Sequence, residues 1–441
     1  MPAPACWHGT RCALPIPASK SRGKKMNSSP EYARRSGPGA VLPLVLTTGV
    51  SLLATDLYLP SIPMLPELLD GSHRQAQSTL PAFFVTFAFA QLLYGALAER
   101  FGNLPVLLGA ATLFILASAL AAVSPDIEWL VAARAMQGAG AAAATAIVPA
   151  VIRQAYDEKG SVRMLSWLGI CESVVPALGP LLGAGVLYLL GWRANFWLLV
   201  GLGVAGVALL LRNRTHYATS DRSVEPRRTV WRAIVPDYWR VISNRTFLGY
   251  AIGYSTAYGA LMTFVGSAPF LLQYAYGHAP AAFGLVQIAM VALFMAGSLL
   301  AGRASESLGR HPTIAIGTGL LVLTALLLAG IGLHWLPSTA VVLTLAMLPS
   351  QFGLGLRFGV SMSAAIGSVP DRQASASAMT SFLCFAFAAA GNGAVAWLID
   401  LGVVAVAWVF AVFALASLSA SLTARWAADT TETLLRKDSA S

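Results

Sequence analysis

Most of the chain follows neither the two-residue alternation of a half-buried strand nor the one-sided stripe of a soluble helix. It is built from long runs without a single charge, separated by short charged punctuation. Charge-free intervals run 36–55, 75–98, 101–125, 135–152, 173–192, 194–211, 246–302, 311–356, 373–399 and 401–424. A helix that crosses a bilayer needs about 20 apolar residues at about 1.5 Å each. Most intervals therefore hold one crossing. The interval 246–302 holds two, with a break at Gly277-His278-Ala279-Pro280, and 311–356 holds two, with a break at His334-Trp335-Leu336-Pro337. The pattern predicts an all-α polytopic membrane protein with twelve spans. They lie near 41–60, 78–98, 105–123, 129–152, 164–188, 194–212, 247–273, 281–302, 312–333, 338–360, 374–398 and 401–424.

Composition agrees. The 441 residues are 56% hydrophobic and 11% charged, whereas a soluble domain carries about 25% charged residues. Lipid is the partner this surface requires. The net charge of +10 looks at first like a nucleic-acid footprint, but its placement says otherwise. With the N-terminus inside, segments on the inner face hold 25 of the 29 Lys and Arg, and outer segments hold two, Arg74 and Arg193. That bias predicts cytoplasmic termini and a cytoplasmic (inner) membrane, and it removes nucleic acid as a partner. Trp129, Trp192, Trp335 and Trp426 fall at predicted membrane boundaries. Cys6, Cys12, Cys171 and Cys384 form no CxxC pair, and no metal site is expected.

Residues 1–40, rich in Pro, Ser, Lys and Arg, are expected to be a disordered cytoplasmic tail without a secretory signal, and Met26 is an alternative start. The longest predicted inner loop, 213–245, separates a first six-helix bundle, 41–212, from a second, 246–425; a cytoplasmic tail, 426–441, follows. Within the loop, Trp231, Ile234, Val235, Tyr238, Trp239 and Ile242 recur at helical spacing, which predicts a short helix on the cytoplasmic face despite Pro236.

The halves share a repeat. Gly95-x3-Glu99-x2-Gly102-x2-Pro105 follows span 2, and Gly302-x3-Glu306-x2-Gly309-x2-Pro312 follows span 8 at the matching place, 207 residues later. Two six-helix pseudo-repeats around a central axis are a transporter architecture. On these residues the chain resembles the major facilitator superfamily, in its twelve-helix drug:proton antiporter branch, and is similar to the bicyclomycin/chloramphenicol-resistance group. Leu130-x3-Arg134-x2-Gln137-Gly138-x-Gly140 in span 4 resembles a motif of that branch without departure. Gly179-Pro180-x2-Gly183 in span 5 resembles the core of the antiporter motif, with Val175 where a glycine is usual. Thr55-Asp56-Leu57-Tyr58-Leu59-Pro60-Ser61-Ile62-Pro63 closes span 1 as in that group. In the first repeat, Glu99 stands where the family has Asp and Asn103 where it has a basic residue, which weakens the charge latch the motif implies.

Ionisable groups inside lipid are functional candidates by default. Asp56 falls about 15 residues into span 1 and Arg134 about 5 into span 4, at similar depth in the outer half. The pair reads as a proton-binding couple, or alternatively as a static pair or charges reaching outward. Glu172, about 8 residues into span 5, reads as a proton carrier, a contact for cationic substrate, or a neutral acid bonded to a neighbour. Arg357, near the inner end of span 10, reads as an interface anchor. Tyr58, Tyr254, Tyr258, Phe264 and Phe270 read as lining for an apolar site, or as ordinary packing.

No GxxxxGK[ST] sequence occurs, which excludes that route to ATP, and no His, Asp or Cys cluster supports a membrane enzyme. The resemblance implies a monomeric, proton-driven exporter of small amphipathic or drug-like molecules with no cofactor. The alternatives are an importer or metabolite exporter on the same fold, a transport-inactive sensor, and a multi-span membrane enzyme.

Overall fold

In hydrocarbon a backbone amide has no water to bond and pairs within its own segment, so each apolar run folds as helix. The computed structural model describes residues 42–156, 158–214 and 230–440, all within one compact unit, Ser36–Ser441. The predicted N-terminal tail, its Cys6–His8–Cys12 group and the middle of the central loop lie outside the described residues.

Among the described residues, twelve helices are long and apolar enough to cross a membrane. Span 1 is Leu42–Leu68, span 2 His73–Phe101, span 3 Asn103–Ala122, span 4 Ile127–Gln154, span 5 Arg163–Leu190 and span 6 Trp192–Arg212. Span 7 is Arg245–Ala275, span 8 Ala281–Leu308, span 9 Arg310–Gly332, span 10 Ala340–Gly367, span 11 Pro370–Trp397 and span 12 Val403–Trp426. The predicted count is met, and several helices overrun the predicted limits because polar residues cap and extend them. Span 2 starts five residues early: the Ser72 hydroxyl accepts from the Gln75 amide, and the Gln75 side chain accepts from the Ser72 amide. Span 1 changes character after Asp56. Its α-helix ends there, and Pro60 and Pro63 shape a 3-10 segment, Leu59–Met64, because neither ring nitrogen can donate to an α ladder.

The repeat has a backbone cause. Gly102 and Gly309 each close one helix and open the next at nearly the same positive φ, 89° and 91°. Gly102 donates to the Ala98 carbonyl at 2.9 Å and Gly309 to the Ser305 carbonyl at 3.1 Å. A side chain is strained in that conformation, so both turns call for glycine. A second correspondence escaped the sequence reading. Gly138 and Gly140 wedge span 4 between the backbones of spans 2 and 3, where added Cβ atoms would lie 2.9 Å from the Phe83 carbonyl carbon and 2.6 Å from the Phe114 nitrogen. Gly355 and Gly353 do the same for span 10 between spans 8 and 9, at 2.9 Å from the Phe294 carbonyl carbon and 2.8 Å from the Gly317 oxygen. Close backbone approach of this kind is how helices associate without a hydrophobic drive between them.

The two halves meet through spans 2 and 11 and through spans 5 and 8. At the predicted outer end, Arg74 donates to the Trp397 carbonyl at 3.0 Å and lies over the Trp397 ring. There Gln273 donates to the Pro60 carbonyl at 3.1 Å, Tyr274 donates to Glu67 at 3.2 Å, and His73 packs against Phe270 and Tyr274. At the predicted inner end the expected amphipathic helix forms over Val230–Ser243, with Pro236 inside it. Its Asp237 pairs with Arg372 at the start of span 11, and its Tyr238 hydroxyl donates to the Leu92 carbonyl of span 2 at 3.2 Å. Burial, and then the nearby Glu99 carboxylate, raise the Tyr238 phenol above its ordinary pKa. Trp129, Trp335 and Trp426 are exposed as a boundary belt requires. Trp192 is not: it is buried, edge-on to Phe196 and under the Arg193 guanidinium.

Candidate functional site

The span 5 motif and the span 1 signature meet. A Cβ on Gly179 would lie 2.8 Å from the Asp56 Cβ, and one on Gly183 would overlap the Leu57 carbonyl oxygen, with the carbonyl carbon at 2.7 Å. The two motif glycines are thus the surface on which the end of the span 1 helix rests. Asp56 is 6% exposed, and among the described residues the one hydrogen bond to its carboxylate comes from the Thr55 hydroxyl at 3.3 Å. That bond is at the weak limit of length for a group so far from water.

Glu172 precedes Gly179 by seven residues, almost two full turns, so it shares the face of span 5 that lies on span 1, about 10 Å nearer the predicted inner end. Cys171 is beside it, with its sulfur 3.0 Å from a Cβ built on Gly49 of span 1. Glu172 is exposed where Asp56 is buried. Across the interface, Tyr258 of span 7 is within electrostatic reach of both Asp56 and Glu172. The three groups share one electrostatic neighbourhood built from both halves.

Arg134 is fully buried. Its Nη1 donates to the Ala54 carbonyl of span 1 at 3.0 Å and to the Gln137 side chain, which donates in turn to Ser118 of span 3 at 2.7 Å. The guanidinium lies 4.5 Å from the ring centres of Tyr58 and Phe83. A planar cation suits such a slot, where two aromatic faces stand in for part of its lost hydration. Arg134 therefore ties span 4 to spans 1, 2 and 3. Among the described residues its Nε and Nη2 meet no acceptor in good hydrogen-bond geometry, although Tyr58 is close enough to interact with the charge. Although Asp56 and Arg134 were placed at similar depth, they form no ion pair here; among the described residues the one salt bridge is Arg372–Asp237. The static Asp56–Arg134 pair is thus absent from this conformation.

Arg357 is not an interface anchor. It is 1% exposed, with Nη1 donating to Thr318 and Ser417, each at 2.8 Å. Its distance from the end of span 10 hid this, because a residue count along one helix does not show which neighbours cover it. Of the repeat residues, Gly102 and Gly309 are fixed by their turns, whereas a Cβ on Gly95 or Gly302 would meet nothing within 4 Å. Glu99 and Glu306 are not buried. Asn103, in place of the family's basic residue, donates to Gln154 at 3.0 Å, an uncharged link between spans 3 and 4.

Around Tyr258 the second half gathers aromatic and thiol groups on spans 7, 10 and 11. Phe385 of span 11 packs 4.2 Å from Phe87 and 5.7 Å from Tyr258, ring centre to ring centre. One turn from Tyr258, Tyr254 packs on Phe358 at 5.3 Å, and buried Cys384 lies 3.4 Å from the Ser255 hydroxyl. Of these, the sequence singled out Tyr254 and Tyr258. Phe385 and Cys384 sit in an Ala- and Phe-rich run that gives no sign of which face meets the other half.

A sequence model of the Major Facilitator Superfamily matches residues 44–393. The multidrug resistance protein MdtL of Escherichia coli (strain UMN026) is 27% identical over 315 residues, 71% of this chain and 76% of that protein. A chloramphenicol resistance protein of Pseudomonas aeruginosa is 32% identical over 285 residues, 63% of this chain and 64% of that protein. Among solved structures, the xylose transporter XylE of Escherichia coli, in a partially occluded inward open conformation, superposes with a TM-score of 0.60 at 16% identity. That match covers 87% of this chain and 96% of the other. A D-xylose-proton symporter superposes at 0.63 with the same identity and coverage. At such identity these two structures speak to the fold alone.

Proposed function

The chain belongs to the Major Facilitator Superfamily, a transporter rather than an enzyme and a multi-pass protein of the inner membrane, and from that premise we propose that it exports small drug-like molecules in exchange for protons. Both termini and the central loop face the cytoplasm in this reading, as the distribution of Lys and Arg requires. The relatives' names supply the substrate class: drug-resistance proteins stand at 27% and 32% identity.

The observation that carries the reading is the seat of Asp56. It is a buried carboxyl with one weak partner, resting on Gly179 of the antiporter motif at the point where span 1 leaves its α-helix. A carboxyl held so far from water is poised to take a proton and to lose it when solvent or a cation reaches it. Alternating access supplies that change: the contacts that latch the outer ends of the halves must break for the site to face outward. Arg134, with two donors unfilled in this conformation, is the group that gains a partner when spans 1 and 4 shift. Glu172, more exposed and nearer the cytoplasmic end, contacts cationic substrate on entry. One charge falling through 100 mV yields about 2.3 kcal/mol, enough for about a 50-fold gradient of a neutral drug.

The test is a drug-susceptibility panel in a host lacking its own exporters, with and without a proton uncoupler, for the wild type and Asp56→Asn. Resistance that the uncoupler abolishes and Asp56→Asn fails to confer is the expected result. Uphill efflux of a neutral drug by Asp56→Asn at the wild-type rate would put the proton elsewhere.

A further inference from the structure

The lipid-facing surface is not smooth. Spans 7 and 12 meet backbone to backbone near the predicted cytoplasmic end, where a Cβ on Gly249 would lie 2.6 Å from the Ala424 Cβ. Beside that contact a groove of about 450 Å³ opens between the two helices. Its floor is apolar or small, with Leu248 and Ile252 from span 7 and Ala416 and Ser419 from span 12. Its mouth is made by Arg245 and Trp426, both exposed. From Trp426 to Ala416 is ten residues, about 15 Å of helix, close to half of the ~30 Å hydrocarbon core. The groove thus has the length of one leaflet, with the charged end at headgroup level and the apolar end near the midplane.

We propose that this groove is a binding site for an anionic phospholipid of the cytoplasmic leaflet, with one acyl chain along spans 7 and 12 and the phosphate on Arg245. Three observations select this occupant. Among the described residues that line the groove, Arg245 carries the one charge, and a zwitterionic headgroup would gain less from it than an acidic one. Arg245 occupies the first turn of span 7, where a cation opposes the helix macrodipole; a phosphate there reverses the sign of that interaction. Next in the chain, the helix Val230–Ser243 exposes Val235 and Trp239, 72% and 67%, together with Arg240, as a helix lying at the headgroup boundary does. Trp426, 67% exposed, completes the boundary on the span 12 side. Span 7 also carries Tyr254 and Tyr258, so a lipid in this groove touches the helix that presents the second half's face of the site.

The test is native mass spectrometry of the full-length protein in detergent, titrated with phosphatidylglycerol or with phosphatidylcholine of the same chains. The wild type is expected to hold one phosphatidylglycerol about fivefold more tightly than phosphatidylcholine. Arg245→Gln should erase that preference and Arg245→Lys should keep most of it. Ser419→Phe, which fills the groove and leaves Arg245 in place, should weaken both lipids. An unchanged preference in Arg245→Gln would overturn the proposal, as would binding that Ser419→Phe leaves intact. A dimer that Ser419→Phe dissociates would assign the groove to a second copy of the chain instead. None of these readouts depends on transport, so the lipid site and the exporter reading stand or fall separately.

Discussion

Gly183 and Gly185 are two residues apart in the same helix, yet alanine should act on them in opposite directions. A Cβ on Gly183 would overlap the Leu57 carbonyl oxygen and lie 2.7 Å from the carbonyl carbon, where contacting carbon atoms prefer about 3.5 Å. Spans 1 and 5 must therefore part by about 0.8 Å or more, since the obstacle is backbone and cannot turn aside. Overpacking of this kind typically costs about 1–3 kcal/mol. A Cβ on Gly185 meets nothing within 4 Å, so alanine there keeps only its gain in helix propensity, up to about 1 kcal/mol. The two variants should thus differ by about 1–4 kcal/mol, and because the separated surfaces carry Asp56, only Gly183→Ala should lose transport. Gly179→Ala should fall between them: the Asp56 Cβ at 2.8 Å is fixed to the span 1 backbone but stands farther off than the Leu57 carbonyl, and the Leu53 Cδ1 at 3.3 Å can turn aside. Thermal unfolding in detergent and drug resistance in cells check both parts. A Gly183→Ala protein that melts at or above the wild type and still confers resistance would refute the packing argument.

Other substitutions address the charges and the latch. Arg134→Ala should abolish efflux and lower stability by about 1–3 kcal/mol, because the Ala54 carbonyl and Gln137 lose a buried donor. Arg134→Lys should restore part of it without the planar fork; normal efflux by the alanine variant in membrane vesicles would remove Arg134 from the mechanism. Glu172→Gln should lower efflux of cationic drugs and spare neutral ones, since a carboxylate in low dielectric rewards a positive partner; equal loss on both classes, measured at two pH values, would merge its role with that of Asp56. At the outer latch, Arg74→Ala removes a cation–π contact and a hydrogen bond to Trp397. A contact worth about 0.5–1 kcal/mol should make a cysteine at Tyr258, on the face between the halves, about two- to fivefold faster to label from outside, in a background without other cysteines. An unchanged labelling rate would mean that Arg74 does not hold the latch. Finally, a cysteine at Trp239 should label only from the cytoplasmic side, and labelling from outside would invert the topology.

Much of the fold was legible because lipid imposes one rule on every residue. A charge is expensive in hydrocarbon, so charge-free length alone yields the twelve helices, and the Lys and Arg between them yield an orientation. The Thr55–Pro63 signature was legible as the close of span 1, but neither the end of the α-helix at Asp56 nor the 3-10 segment that carries the span on toward Leu68 was, since nothing local marks the turn. The site was legible as residue types and not as contacts. Asp56 and Gly179 both stood out, 123 positions apart, yet the sequence does not say that one rests on the other. Arg357 was misread for the same reason: depth along a helix is a property of one segment, whereas burial belongs to its neighbours Thr318 and Ser417.

The two halves repeat their backbone devices but divide their chemistry. The turns at Gly102 and Gly309 correspond, and so do the wedges at Gly138–Gly140 and Gly353–Gly355. These are demands of packing, and they recur wherever three helices meet closely. The acids do not recur. In spans 7–12 Glu306, Asp371 and Asp400 stand near helix ends, and the cross-membrane interior of that half offers Tyr254, Tyr258, Cys384 and Phe385 instead. A symmetric pair of acids would repel across the central interface and raise the cost of closing it. On the exporter proposal, acid on one side and aromatic groups on the other would let the halves close in either protonation state and would offer a drug-sized molecule an apolar surface in the second half. The division also makes a demand: variants of Tyr258 and Phe385 should change which drugs are carried, whereas variants of Asp56 should change whether any is carried uphill. Competition between two drugs in one vesicle assay separates the outcomes, because a coupling defect scales both rates alike and a recognition defect changes their ratio. An altered ratio in Asp56→Asn with uphill transport intact would move recognition to the first half and undo the division.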